Sequence, residues 1–574
     1  MIKTRWRAAA IRPAAFLALL LFLAPALARA DALQDLSRDF WIWRAANQPI
    51  SGDDVPRIER PADWMPDWRR ATVVRRREEI AAFESRLAGL DPYGMPVAWQ
   101  VDQRLLRSAF ARVRWELDVE RGWERNPDFY VDQTLGAVFD RLVQPPPFSR
   151  VRSEEILRRL ESIPAPIASA KSNLVPAEAP LARLAISRLV DVQSRVTEAM
   201  RDLKPRLDGR SAALLDASAE RAIAALEDFR GWLENRAPTL RAPSAVGREA
   251  YLFFLRQVAL LPYSPEEILA MGRQEWARAA ALETYEEARN SGTPAPAMLL
   301  DQAAEIARAA HDEAATRRFL EEKNLLTVPA RLSPYRLLPL PRYLEALGGF
   351  GEADDLGSAS RPDGGAVRYI LAPSPGLGFF ALSMARDPRP ILVHEGIPGH
   401  AFQLALSRTN EDPIRRYYYD SSANEGIGFY AEEMMLDTGF FDDSPRTRQT
   451  VANLMRLRAL RVEVDVRLAL GEITVAEAAD YLAKTVPMDP SSAREEAGRF
   501  AASPGQGISY QIGKLQILRL LADARRIQGE KFSLRAFHDF LWKNGNVPIA
   551  LQRWEMVGLK DQVDALDRAV PAPR

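Results

Sequence analysis

Four histidines occur in 574 residues, and two of them stand six positions apart in His394-Glu395-Gly396-Ile397-Pro398-Gly399-His400. A zinc-binding HExxH pair is spaced by four, about one helical turn, so that both imidazoles reach one metal. At a spacing of six the two side chains of a regular helix diverge by about 120°. The intervening residues offer a remedy, because Pro398 cannot continue a helical hydrogen-bond ladder and Gly396 and Gly399 admit unusual backbone angles. The segment can loop out and return His400 to His394, which reads as HExxH with two residues inserted. The other reading is a glycine- and proline-rich helix start whose histidines bond to backbone carbonyls.

A carboxylate follows 25 positions after His400, as Glu425 in the run Asn424-Glu425-Gly426-Ile427-Gly428-Phe429-Tyr430-Ala431-Glu432-Glu433. A third ligand from a following helix completes a two-histidine, one-carboxylate zinc site with a fourth position for water. The alternative for Glu425 is a helix-start carboxylate favoured by the macrodipole. Glu432 lies two turns further along the same face, either to orient a histidine or to lie in solvent.

The elements that must position these residues are mostly helical. Leu215, Ala219, Ala222, Leu226, Phe229 and Leu233 step by three and four along one helix face. Ser264-Pro265-Glu266-Glu267 and Thr474-Val475-Ala476-Glu477 both read as capping boxes that open helices. Strand signals are confined to Tyr335–Leu338, Val367–Leu371 and Phe379–Met384, just before the first motif. The expectation is a mainly α chain: a large helical body with a small β-sheet beside the metal helix. Its mature part divides into an N-terminal helical subdomain, 31–300, and a metal-binding subdomain, 301–574.

Composition narrows the function classes. Lys plus Arg equals Asp plus Glu at 77 each, and cysteine is absent, which removes disulfides, thiolate metal sites and cysteine nucleophiles. Lys3, Arg5, Arg7 and Arg12 precede an apolar run from Ala14 to Leu27, and Ala28-Arg29-Ala30 offers small residues for cleavage before Asp31. Residues 1–30 thus read as a signal peptide for a periplasmic or secreted protein with no stable membrane anchor. A neutral chain with an export address argues against nucleic acid, despite Arg415-Arg416-Tyr417-Tyr418-Tyr419.

Four segments together, 394–403, 424–433, Ser503–Gly513 and Phe537–Pro548, resemble the ordered motifs of the bacterial domain-of-unknown-function family numbered 885, relatives of gluzincin-type metallopeptidases. The likeness runs through nearly the whole mature chain. It implies zinc held by His394, His400 and Glu425, Glu395 as general base, and a zincin-like helical fold of two subdomains around a cleft. Tyr510 matches the late motif and would donate to an oxyanion. His538, in Phe537-His538-Asp539, is read as packing or as support behind the ligands, and His311 as structural. The chain departs from the family pattern at Ala401, where the second histidine is usually doubled, and at Ile427 and Gly428. The intact Pro-Gly-His triplet favours His400 as the ligand. The expected function is an exported zinc-dependent hydrolase acting on peptides; the alternative is a catalytically inactive helical periplasmic binding protein that keeps the cleft.

Overall fold

The computed structural model describes residues 13–51, 59–358, 365–486 and 488–568, with side chains from Arg29 onward. Lys3, Arg5, Arg7 and Arg12 of the expected leader lie outside the described residues. Residues 13–47 form one helix, and no helix among the described residues is long and apolar enough to cross a membrane.

The chain is mainly helical, with one three-stranded sheet among the described residues. The helix expected around Leu215 runs Gly209–Arg236 with all six periodic residues buried. Both expected capping boxes are formed, with reciprocal Ser264–Glu267 and Thr474–Glu477 bonds. Apolar packing crosses residue 300 in both directions, since one cluster joins Leu33–Leu233 residues to Tyr343, Val547, Trp554 and Leu566.

The elements that build the site are labelled in chain order. They are α1 (Pro265–Arg289), α2 (Gln302–Glu322), β1 (Arg336–Pro339), β2 (Asp354–Asp355), β3 (Val367–Ile370), α3 (Phe379–Arg386), α4 (His400–Ser407), α5 (Ser421–Asp437), α6 (Pro445–Leu470), α7 (Pro490–Ala502) and α8 (Gln506–Gln528). In the sheet β3 is central, parallel to β1 and antiparallel to β2. Residues of α2, β1 and β3 pack against Ile391, Leu392 and Ala401, which seats the sheet beside the histidine segment.

One expected strand is corrected. Phe379–Met384 is helical as α3, with the Phe379 N–H donating to Asp489 Oδ2 at 3.3 Å and the helix ending before Pro388. Its apolar residues do not alternate, and Ala381, Leu382 and Met384 are helix formers, so the two paired phenylalanines gave a misleading β signal.

Helix α5 crosses α8 at very short range, with Gly426 against Gly513. A Cβ added to Gly513 would fall 1.9 Å from the Ser422 carbonyl oxygen, so only glycine permits the approach. Asp465 of α6 accepts from the Gly505 and Gly507 backbone N–H groups at 2.9 and 2.6 Å, fixing the start of α8. These contacts bring the first turns of α8 up to Glu425.

Candidate metal centre

The histidine segment leaves its helix at a π-helical turn, Leu392–Gly396, passes Ile397 in extended conformation and a cis Ile397–Pro398 peptide, and restarts at His400 as α4. The imidazoles of His394 and His400 consequently meet with ring centres 4.7 Å apart. Gly399 is indispensable to this return: a Cβ there would lie 1.7 Å from the His394 carbonyl oxygen. The Trp542 indole N–H donates to the Pro398 carbonyl at 2.5 Å, tying down the loop.

Glu425 rises from α5 between the two rings. Its Oε2 lies 3.4 Å from His394 Nε2 and 3.2 Å from His400 Nε2. One ligand atom from each of the three residues lies within 4.8 Å of the others, and all three side chains are buried. Donors bound tetrahedrally at roughly 2.1 Å stand about 3.4 Å apart, and the two imidazole–carboxylate separations match that spacing. The set of two imidazoles and one carboxylate leaves further coordination positions for water or substrate.

Gln506 donates to the other oxygen of Glu425 at 3.4 Å. Glu432 places Oε1 2.7 Å from His394 Nδ1 and 2.8 Å from Arg458 Nη2, near contacts out of line with the N–H directions. Nδ1 of His400 is buried with no hydrogen-bond partner among the described residues. Gly428 gives both rings their room, since a Cβ there would come within 3.0 Å of Cε1 of His394 and of His400.

Charge is concentrated here. Burial opposes ionisation of His394, but Glu425 and Glu432 outweigh it and raise its pKa to about 9. Burial likewise works against the Glu425 carboxylate, and His400 and His394 overcome it, holding the group well below the usual range. A cation arriving at the triad therefore competes with a proton held between imidazole and carboxylate.

Glu395 is the most open member, its side chain 23% exposed against 10% or less for the other three, so water can reach it. Its carboxyl is destabilised by burial yet lowered overall by Arg368, His394 and His400. Arg368 Nη1 lies 3.5 Å from Glu395 and 2.5 Å from Asp354, its cross-strand partner on β2.

Tyr510 stacks on His394, ring centres 6.1 Å apart and planes 17° from parallel. Its hydroxyl has no hydrogen-bond partner among the described residues. Burial and then the Glu425 charge push its pKa well up, so it remains a donor.

Other candidates fall elsewhere. His538 accepts at Nε2 from the Tyr430 hydroxyl (2.8 Å) and donates from Nδ1 to the Leu325 carbonyl (2.6 Å). It makes no hydrogen bond to the triad and belongs to the packing around Trp542. Arg415 is committed to Asp102, Asn544 and Glu555. Ala401 lines a cavity of about 470 Å³ with Gly396, Ile397, Phe402 and Tyr335. No triad residue lines that cavity, so position 401 faces away from the ligands.

Sequence reasoning missed Arg368, Arg458 and Gln506. The first depends on the β2–β3 register and the second on α6 lying under the site. Gln506 stood inside the recognised late motif.

A family model described as a bacterial protein of unknown function, DUF885, matches residues 52–556. No curated protein matches the sequence. A Shewanella oneidensis protein of solved structure, described as a lipoprotein of unknown function, superposes with a TM-score of 0.65 at 17% identity, covering 92% of this chain and 98% of that one. A Colwellia psychrerythraea protein described as a lipoprotein gives 0.69 at 18% identity, over 95% and 99%. At such identities the likeness is one of fold.

Proposed function

The chain belongs to the DUF885 family of bacterial proteins, and from that premise and the geometry of its buried triad we propose that it is an exported zinc-dependent hydrolase acting on peptides. The observation that carries the reading is the convergence of His394, His400 and Glu425, their ligand atoms within 4.8 Å of one another, beside an ionised carboxylate that water can reach. His394, His400 and Glu425 would hold the ion, in a zincin-like arrangement with the cleft over Glu395.

Zinc held there would supply Lewis acidity, making water a better nucleophile at neutral pH and a carbonyl a better electrophile. Glu395, kept ionised and oriented by Arg368, takes the proton of the attacking water and passes it to the leaving nitrogen. The Tyr510 hydroxyl, protonated and uncommitted, donates to the carbonyl oxygen as negative charge develops there. Glu432 and Arg458 hold the His394 ring in place. The basic and apolar pattern of residues 1–30 supports export, with removal between Ala30 and Asp31. Phe379–Met384 is helical and offers no strand edge to an extended substrate, so the chemistry of the site alone supports an amide.

Glu395→Gln tests the reading, since it keeps shape and removes basicity. Zinc binding should persist while hydrolysis of a peptide mixture falls by at least about 10²-fold. A fully active variant refutes this mechanism, and a wild type that binds zinc and hydrolyses nothing favours a binding protein.

A further inference from the structure

Beyond the ligands, one aromatic ring away, stands a guanidinium with unused donors. The Tyr510 ring that stacks on His394 at 6.1 Å carries Arg461 Cζ 4.7 Å from its centre. Phe380 and Phe500 flank the same group at 5.8 and 5.6 Å. Three rings around a planar cation restrict its orientation. Arg461 Nε donates to Glu496 at 2.7 Å, whereas Nη1 and Nη2 have no hydrogen-bond partner among the described residues. The side chain is only 7% exposed, and Glu496 balances its charge through Nε alone, which leaves the two Nη donors for a ligand.

The free pair has a specific shape. Two parallel N–H groups on a planar fork match a carboxylate bidentately. Arg499, on α7 with Glu496, pairs with Glu352 at 3.1 Å and is 35% exposed, adding a second cation toward the opening. Of the carboxylates nearby, Glu496 and Glu352 are each taken up by one of these arginines, and Glu495 lies close enough to feel Arg499 without forming an ion pair with it. An extended residue spans roughly 3.3–3.6 Å. His394 and Arg461 both lie against the Tyr510 ring, at 6.1 and 4.7 Å from its centre, so no more than about 11 Å separates them, a span that one extended residue bridges together with its contacts to the triad at one end and to the guanidinium at the other.

We propose that Arg461 receives the free C-terminal carboxylate of a peptide, so that the site removes residues from the C-terminal end. The proposal rests on the hydrolase reading above. In the reaction water adds across the C–N bond: the hydroxyl joins the carbonyl carbon, and the proton goes through Glu395 to the nitrogen of the released residue. No oxidant or reductant is required.

Two peptides of one sequence, ending in a free carboxylate or in a carboxamide, test it. Each is offered to the zinc-loaded protein for hydrolysis, and to zinc-loaded Glu395→Gln for binding by fluorescence anisotropy. The free acid should exceed the amide by at least about 30-fold in kcat/KM and in affinity, the lower range for loss of a charged pair. Arg461→Lys, which keeps the charge but not the fork, and Arg461→Ala should bring both ratios to within about threefold of unity. Equal treatment of the two peptides by the wild type overturns the proposal whether or not a variant folds, and so does a ratio that survives both substitutions. A binding preference that depends on Arg461, without hydrolysis of either peptide, upholds the carboxylate site and overturns the hydrolase reading instead.

Discussion

Replacing Gly399 by alanine should destroy the metal site and leave the fold. The backbone φ at 399 is −72°, which any residue adopts, so the demand for glycine is one of space. A Cβ there falls 1.7 Å from the His394 carbonyl oxygen, 2.4 Å from its carbon and 2.5 Å from the Val393 oxygen. Non-bonded carbon contacts need roughly 3.5 Å, so backbone atoms at both ends of the loop must part by more than about 1 Å. The parting occurs between the two histidines, whereas metal bonds tolerate only about 0.2 Å. Zinc affinity should therefore fall by more than about 100-fold, beyond the loss that follows removal of an orienting partner. Competition titration against a chromophoric chelator measures it, with circular dichroism on the metal-free protein to check the fold. A folded variant whose zinc affinity lies within threefold of wild type would refute the account of the inserted turn.

Three further outcomes are expected. Ala401→His, which restores the doubled histidine of the family pattern, should change zinc affinity by less than about tenfold, because position 401 faces the cavity behind the loop; a large gain in the same titration would mean that His400 is not the ligand. Glu432→Gln should weaken zinc binding by roughly 10–100-fold without unfolding the chain, and unchanged affinity would make the contact with His394 incidental. His538, with its pKa lowered by burial to about 4 despite its bond to Leu325 and the nearby Asp539, is neutral in the fold and protonates more readily when unfolded. The stability it confers is complete above about pH 6.5 and is lost as pH falls toward 4, by on the order of 3 kcal/mol. Urea unfolding from pH 7 to 4.5 should show that loss in wild type and a smaller one in His538→Gln; identical slopes would exclude His538 as the source.

What the sequence made legible was local. Pro398 and the flanking glycines announce a break between two histidines, and the capping boxes at Ser264 and Thr474 announce their helices, because each signal is complete within a few residues. Glu425 was legible as the first carboxylate of the next helix-compatible run, although that helix begins four residues earlier, at Ser421 behind the Asp420 cap, so Glu425 is not a helix-start carboxylate. Arg368 was not: its contact with Glu395 depends on β2 pairing Asp354 with Arg368, a register that two residues of strand do not declare. Arg458, Arg461 and Asp465 sit at positions i, i+3 and i+7 of α6 and form the floor of the site. That helix is apolar on several sides, so its polar stripe does not stand out as a surface face. Gly426 and Gly513 gain their meaning only from the crossing of α5 and α8. Phe379–Met384 misled because a short apolar run carries no period of its own.

The central claim is that these three residues form one metal site. Anomalous diffraction at the zinc edge, on crystals of the zinc-loaded protein, tests it most directly. The account predicts a single strong peak per chain within roughly 2.0–2.2 Å of His394 Nε2, His400 Nε2 and a Glu425 carboxylate oxygen. A peak elsewhere, or none at the triad under saturating zinc, would contradict it.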